Sequence, residues 1–172
     1  MNRRLKKIFD RLELQREFIL SKVTEMPAEK YYYAPPHTWS VSLILTHLVV
    51  SERVSLMYLK KKVLGIEKAK NSGIFEFIKM RLLIASQRLP LKYKAPKFII
   101  DHMSEALTIE EVVRQWKQLR EDLRKFYETI PEKYARRKIF RHPFAGKFDL
   151  IQGMEFYYEH VRHHWPQIKR LL

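Results

Sequence analysis

Apolar residues return every third or fourth position through four long segments of the chain, the spacing of amphipathic helices. The first segment, about Asn2 to Glu25, sets Leu5, Ile8, Leu12, Phe18 and Ile19 at helical spacing, with Pro27 beyond its end. The second opens at Ser40, an N-cap residue flanked by Trp39 and Ile44 as a hydrophobic staple, and runs to about Leu64, where Gly65 suits its end. The third is announced by a capping box, Thr108 with Glu111, and a Leu107–Val112 staple. Its stripe reads Ile109, Val112, Trp116, Leu119, Leu123, Phe126 and Ile130 before Pro131 stops it. The fourth begins near Asp149 with Gln152 at the capping-box position, and its stripe reads Leu150, Met154, Tyr157, Val161, His164, Ile168 and Leu171. The chain holds only four glycines and few alternating strand-like runs, so the pattern predicts an all-α fold.

Histidine interrupts two of these stripes. His164 takes a slot that asks for an apolar residue, and His160 borders the same stripe one turn earlier. On the second helix Leu43, His47, Val50, Val54 and Met57 form one possible stripe, again with histidine in an apolar slot. Inward imidazoles on separate helices are costly to bury without partners. Hydrogen bonding as structural histidines, or joint ligation of a transition metal with an open coordination position, would each satisfy them. Spacing does not choose between the two. On such a metal, bound water can have its pKa lowered to about 7, and the open position can equally hold a thiolate.

Other candidates are weaker. His163 points about 100° away from His164, toward the surface or a supporting role. His37, His102 and His142 fall in predicted loops without a partner at ligand spacing. Glu52, Glu155 and Glu159 are carboxylates that could support ligands, with helix-surface charge as their default reading. Pro166 should kink the last helix beside the histidines by removing a bond to the Arg162 carbonyl. No serine sits in a glycine-flanked elbow, and there is no glycine-rich phosphate loop.

Between the second and third helices lies a connector of about residues 66 to 107. It contains IFEFIKMRLLIAS, one expected extra helix, and then the proline-bracketed LPLKYKAPKF. A connector of this length can cross the bundle and allow its flanking helices to run parallel. At 172 residues the chain fits one domain, 1–172, burying about two-thirds of its unfolded surface. It has no cysteine, so disulfides and thiolate ligands are excluded and any metal must be held by histidine, carboxylate or water. The basic N-terminus lacks the apolar stretch and cleavage site of a signal peptide, and no uncharged apolar run of spanning length stands out. A cytoplasmic location with no membrane partner is the expectation. The net charge of +15 could attract nucleic acid, anionic lipid or an acidic small molecule. It is spread through every segment, however, and no nucleic-acid-binding signature accompanies it, so a solvated surface is the expectation and nucleic acid is not the expected partner.

The segment HTWSVSLILTHLVVSE, followed much later by HPFAGKFDLIQGMEFYYEHVRHHWPQI, resembles the DinB-like (YfiT-type) superfamily of metal-dependent enzymes. The resemblance covers nearly the whole chain, and LPLKYKAPKF is similar to the connector of one subgroup. It implies a four-helix bundle of up-down-down-up topology and a metal triad of His47, His160 and His164 carrying a divalent transition metal, typically nickel or zinc. It further implies a thiol S-transferase or a hydrolase acting on a small-molecule electrophile, with a low-molecular-weight thiol as co-substrate in the first case, and a homodimer is compatible with it. Competing readings are a non-catalytic binding or stress-response module on the same scaffold and, last, a basic nucleic-acid binder.

Overall fold

Three of the four main helices begin where a side chain caps them as the sequence predicts. The computed structural model describes residues 1–89, 93–103 and 105–172. Ser40 accepts from the Leu43 N–H, and reciprocal capping boxes form at Thr108–Glu111 and Asp149–Gln152. Each cap satisfies amide donors that the first helical turn would otherwise leave unpaired. Asn2 caps the remaining main helix through the Leu5 N–H. In chain order the elements are α1 (Arg3–Val23), α2 (Ala28–Tyr32), α3 (Val41–Lys62), α4 (Ile74–Arg88), α5 (Lys97–Asp101), α6 (Ile109–Glu128), β1 (Phe140–His142), β2 (Gly146–Phe148) and α7 (Leu150–Lys169). The expected extra helix of the connector is α4. Part of LPLKYKAPKF, residues 90–92, lies outside the described residues.

Side-chain pairs give the direction of each helix in the bundle. Arg4 meets Glu155, Arg11 lies over Tyr158 and Phe18 meets Trp165, so α1 and α7 run parallel. Thr46 bonds the Leu107 amide while Glu52 bonds Trp116 and Arg120, so α3 and α6 run parallel as well. His47 meets His160 and His164, and Ser55, two turns further along α3, lies by Tyr157, earlier on α7, so α3 and α7 run antiparallel. The result is the up-down-down-up bundle, with α4 crossing over to lie along α7.

Two stripes differ from their sequence reading. Phe18 is half exposed and packs edge-on against Trp165, while Phe9, Arg16, Leu20 and Val23 complete the buried face of α1. On α3 the expected stripe holds only at His47 and Val50. Met57 is exposed, Leu43 and Val54 are half-buried, and burial follows Leu45, Leu48, Val49, Glu52, Leu56 and Leu59. The first half of α3 is covered on nearly every side, by α6, α7, α2 and α5, which erases the polar face that a stripe needs. That crowding also accounts for its hydropathy. Within Val41–Lys68 an 18-residue window of mean hydropathy 1.3 is apolar enough to cross a membrane by length and composition alone, and 61% of that window is buried inside the protein.

A two-stranded hairpin before α7 was not expected. Gly146 opens β2 directly after the turn with φ of 84°, a left-handed conformation that favours glycine. Phe140 then packs so close to Gly153 that a Cβ there would stand 2.5 Å from its ring. This glycine contact seats the hairpin on the first turn of α7.

Candidate metal centre

The α3–α7 seam brings His47, His160 and His164 together. Each offers one ring nitrogen, and the three nitrogens lie within 4.8 Å of one another. His160 and His164 are one turn apart on α7, as their i, i+4 spacing requires, and His47 enters from the facing helix. Nε2 of His47 stands 3.2 Å from Nε2 of His160. Two imidazoles bound at 2.0–2.1 Å to one tetrahedral metal place their nitrogens about 3.3 Å apart.

Burial sets the protonation of all three. Desolvation pushes His47 down to about 4 and His164 down to about 3, and holds His160 well below the ordinary imidazole value. Mutual proximity of the rings acts in the same direction. All three are therefore neutral at pH 7, the form in which an imidazole nitrogen has a lone pair to donate. Hydrogen bonding fixes where that lone pair points. The Nδ1–H of His164 donates to Gln167 Oε1 at 3.1 Å, which leaves its Nε2 unprotonated. Nδ1 of His47 faces Ser51 Oγ at 3.5 Å, again leaving Nε2 to the cluster. A proton between His47 and His160 satisfies that pair only, and His164 Nε2 finds no protein partner among the described residues. The donor set, its spacing and its polar supports fit a divalent metal.

Aromatic rings frame the cluster. Phe156 stacks on His160 with centroids 5.2 Å apart at 13°, and Trp39 lies 5.2 Å from His47. The second-helix cap region thus contributes a ring beside the cluster as well as starting the helix. The helical intervals 47–51, 164–167 and 156–160 carry these supports, and intervals of three and four are legible in sequence. What sequence does not supply is the reason to prefer them over other polar or aromatic neighbours.

The remaining candidates are placed elsewhere. His163 turns toward α4, where its Nδ1–H donates to the Gln87 carbonyl at 2.7 Å and its ring meets Tyr93. His37 and His102 stay exposed. His142 is not a solvated loop residue: it is buried in β1, edge-on to Phe156 at 4.7 Å, and its Nδ1 accepts from the Phe144 and Ala145 amides. Burial pushes it down to about 4. None of the three carboxylates supports the histidines. Glu155 pairs with exposed Arg4, Glu159 is buried and bonds Arg88 at 2.7 Å, and Glu52 is buried against Arg120 at 2.7 Å and Trp116 at 3.2 Å. Surface charge is thus the wrong reading for Glu52 and Glu159. Pro166 does not end α7, which continues to Lys169.

Comparison with known proteins agrees with the geometry. The structure matches that of YfiT from Bacillus subtilis, described as a probable metal-dependent hydrolase with an unusual four-helix bundle topology. The TM-score is 0.68 at 15% identity, over 99% of this chain and 87% of the other, a likeness of fold. No curated protein matches the sequence significantly. The sequence model of the DinB superfamily matches residues 11–168. With a family match across nearly its whole length, the chain belongs to the DinB superfamily.

Proposed function

We propose that this protein is a metal-dependent hydrolase in which His47, His160 and His164 hold one divalent transition metal, nickel or zinc. The observation that carries the reading is the convergence of three neutral imidazoles whose donor nitrogens lie within 4.8 Å of one another. The description of YfiT as a probable metal-dependent hydrolase supports it at the level of reaction class.

A metal with three protein ligands and an open position supplies a Lewis acid and lowers the pKa of bound water to about 7. The chain's own residues prepare that chemistry. Burial keeps the ligands deprotonated without help from the metal. Gln167 holds the His164 ring in one tautomer, and Phe156 fixes the plane of His160. Trp39 beside His47 excludes water from one flank and offers an apolar wall to a substrate.

Metal content by mass spectrometry on tag-free protein tests the reading, with His47→Ala and His164→Ala in parallel. Near-stoichiometric nickel or zinc, lost in both variants and kept in His163→Ala, is the expected result. Protein that is metal-free and takes up neither ion on addition would sink it. With metal in hand, ester and amide substrates should be cleaved without added thiol. Turnover that requires a low-molecular-weight thiol would replace hydrolase by S-transferase while leaving the ligand assignment intact.

A further inference from the structure

Helix α4 buries little of its apolar content. Met80 and Ile84 face the bundle, and the opposite side carries Ile74, Phe75, Ile78 and Leu82 at exposures of 73%, 62%, 49% and 65%. Ile74, Ile78 and Leu82 follow one another at i, i+4, so they form a single ridge. The hairpin tip extends it: Phe144, 73% exposed, and Ala145 close a shallow groove with Leu82 and Leu83. Five large apolar side chains on one continuous outer face exceed the scattered exposure that a protein surface normally shows.

The charges beside this ridge are of one sign. Lys79 lies with its ammonium 4.4 Å from the centroid of Phe75 and beside Gly146 of the hairpin. Arg141 and Lys147 are cross-strand partners on the solvent face of the hairpin, and Arg81 is exposed on α4. Among the described residues none of these four forms an ion pair, whereas Glu76, the one acidic residue of α4 and the hairpin, is paired with Lys138 at 2.7 Å. An apolar ridge rimmed by free cations is complementary to an anionic interface whose interior is hydrocarbon. A second copy of this chain would set the same four cations against themselves.

We propose that the outer face of α4 and the hairpin tip form a docking surface for an anionic lipid bilayer, with the helix lying in the interface. A membrane partner departs from the sequence expectation of none, which rested on the lack of a spanning segment and on charge spread through every segment. A surface-lying helix needs no spanning segment, and here apolar and basic residues share one face. The site is separate from the histidine cluster and does not depend on the proposed hydrolase reading.

Vesicle flotation of the full chain tests it, using phosphatidylcholine with about one-third phosphatidylglycerol against phosphatidylcholine alone. The protein should float with the anionic vesicles at low salt and lose at least about tenfold in partition on the neutral ones. The triple variant Phe75→Ser, Leu82→Ser, Phe144→Ser should lose about tenfold or more on anionic vesicles while unfolding at the same temperature as the parent. Lys79→Glu with Lys147→Glu should lose a similar factor, and this pair keeps the test open if the triple variant is unstable. Arg114→Glu with Lys117→Glu makes the same change of charge on exposed positions of α6, and should retain binding. Equal loss in the α6 pair would overturn the proposal in favour of diffuse attraction to net charge. So would unchanged flotation of the triple variant, or failure of the parent to float. A parent dimer that the triple variant dissociates, with neither form binding vesicles, would assign the face to self-association instead.

Discussion

Helix α3 carries two buried polar clusters, His47 on the α7 side and Glu52 on the α6 side, and they solve the problem of burial in opposite ways. Glu52 meets groups of complementary chemistry: Arg120 Nη2 donates at 2.7 Å, Trp116 Nε1 at 3.2 Å, and Glu13 lies 3.9 Å from the same guanidinium. Burial raises the Glu52 carboxyl and lowers Arg120, and each partner's charge opposes that shift. An arginine keeps its proton under such opposition, so both charges are answered within the protein, although Nε and Nη1 of Arg120 make no hydrogen bond. Where the histidine rings face one another they meet only their own kind. Three neutral rings with lone pairs converging cannot satisfy one another, and an added electron-pair acceptor completes them. A polar cluster closed within the protein reads as architecture, and one left open to a cation reads as a site.

The largest consequence falls on the closed cluster. Glu52→Ala leaves Arg120, 1% exposed, without its partner, and removing one member of a buried pair costs about 3–5 kcal/mol. Urea unfolding at neutral pH should show that loss. A cost below about 1 kcal/mol, the range of exposed pairs, would mean that Arg120 is rescued by Glu13 and that the cluster is not closed in the sense argued.

The open side responds to acid. His142 belongs to the same histidine-rich region, across Phe156 from His160, and burial depresses it to about 4 from the ordinary imidazole value of 6.5. The unfolded chain binds the proton more readily, so stability is full above pH 6.5 and falls as pH drops toward 4. For this group alone the loss amounts to about 3 kcal/mol. The metal-free protein carries the same sign at His47 and His164. Its urea midpoint should therefore fall steeply across that window, and added metal should hold up the upper part by favouring the deprotonated ligands. A flat profile would mean that the histidines are solvated and charged at little cost.

The same contrast explains how much of the molecule could be read from sequence. Local chemistry was legible: the caps at Ser40, Thr108 and Asp149 and the apolar stripes of α6 and α7 depend on residues within one helix. The inward turn of His164 was legible for the same reason, since it breaks a regular stripe. Glu52 was not, because its partners Trp116 and Arg120 lie on another helix and a lone carboxylate in a helix reads as surface charge. The hairpin was missed because its strands are three residues each, too short to alternate visibly, and what seats it is the contact of Phe140 with Gly153. The α3 stripe failed where neighbours cover the helix on nearly every side.

The supports of the open cluster give the finest test of whether its three members act as ligands. If they are structural histidines, the bond from His164 to Gln167 is one hydrogen bond among many, and its loss costs about 1 kcal/mol of stability. If they hold a metal, that bond orients the ring and selects the tautomer whose Nε2 is free, and its loss weakens metal affinity by about 10- to 100-fold. Gln167→Ala should therefore bind zinc more weakly in a competition titration with a chelator. Gln167→Glu, which still accepts from Nδ1, should restore affinity. Ser51→Ala removes a longer contact to His47, 3.5 Å, and its effect should be the smaller of the two. Equal zinc affinity in all three variants would show that the rings are set by packing against Phe156 and Trp39 alone, and the distinction between a closed and an open cluster would then rest on the histidines themselves.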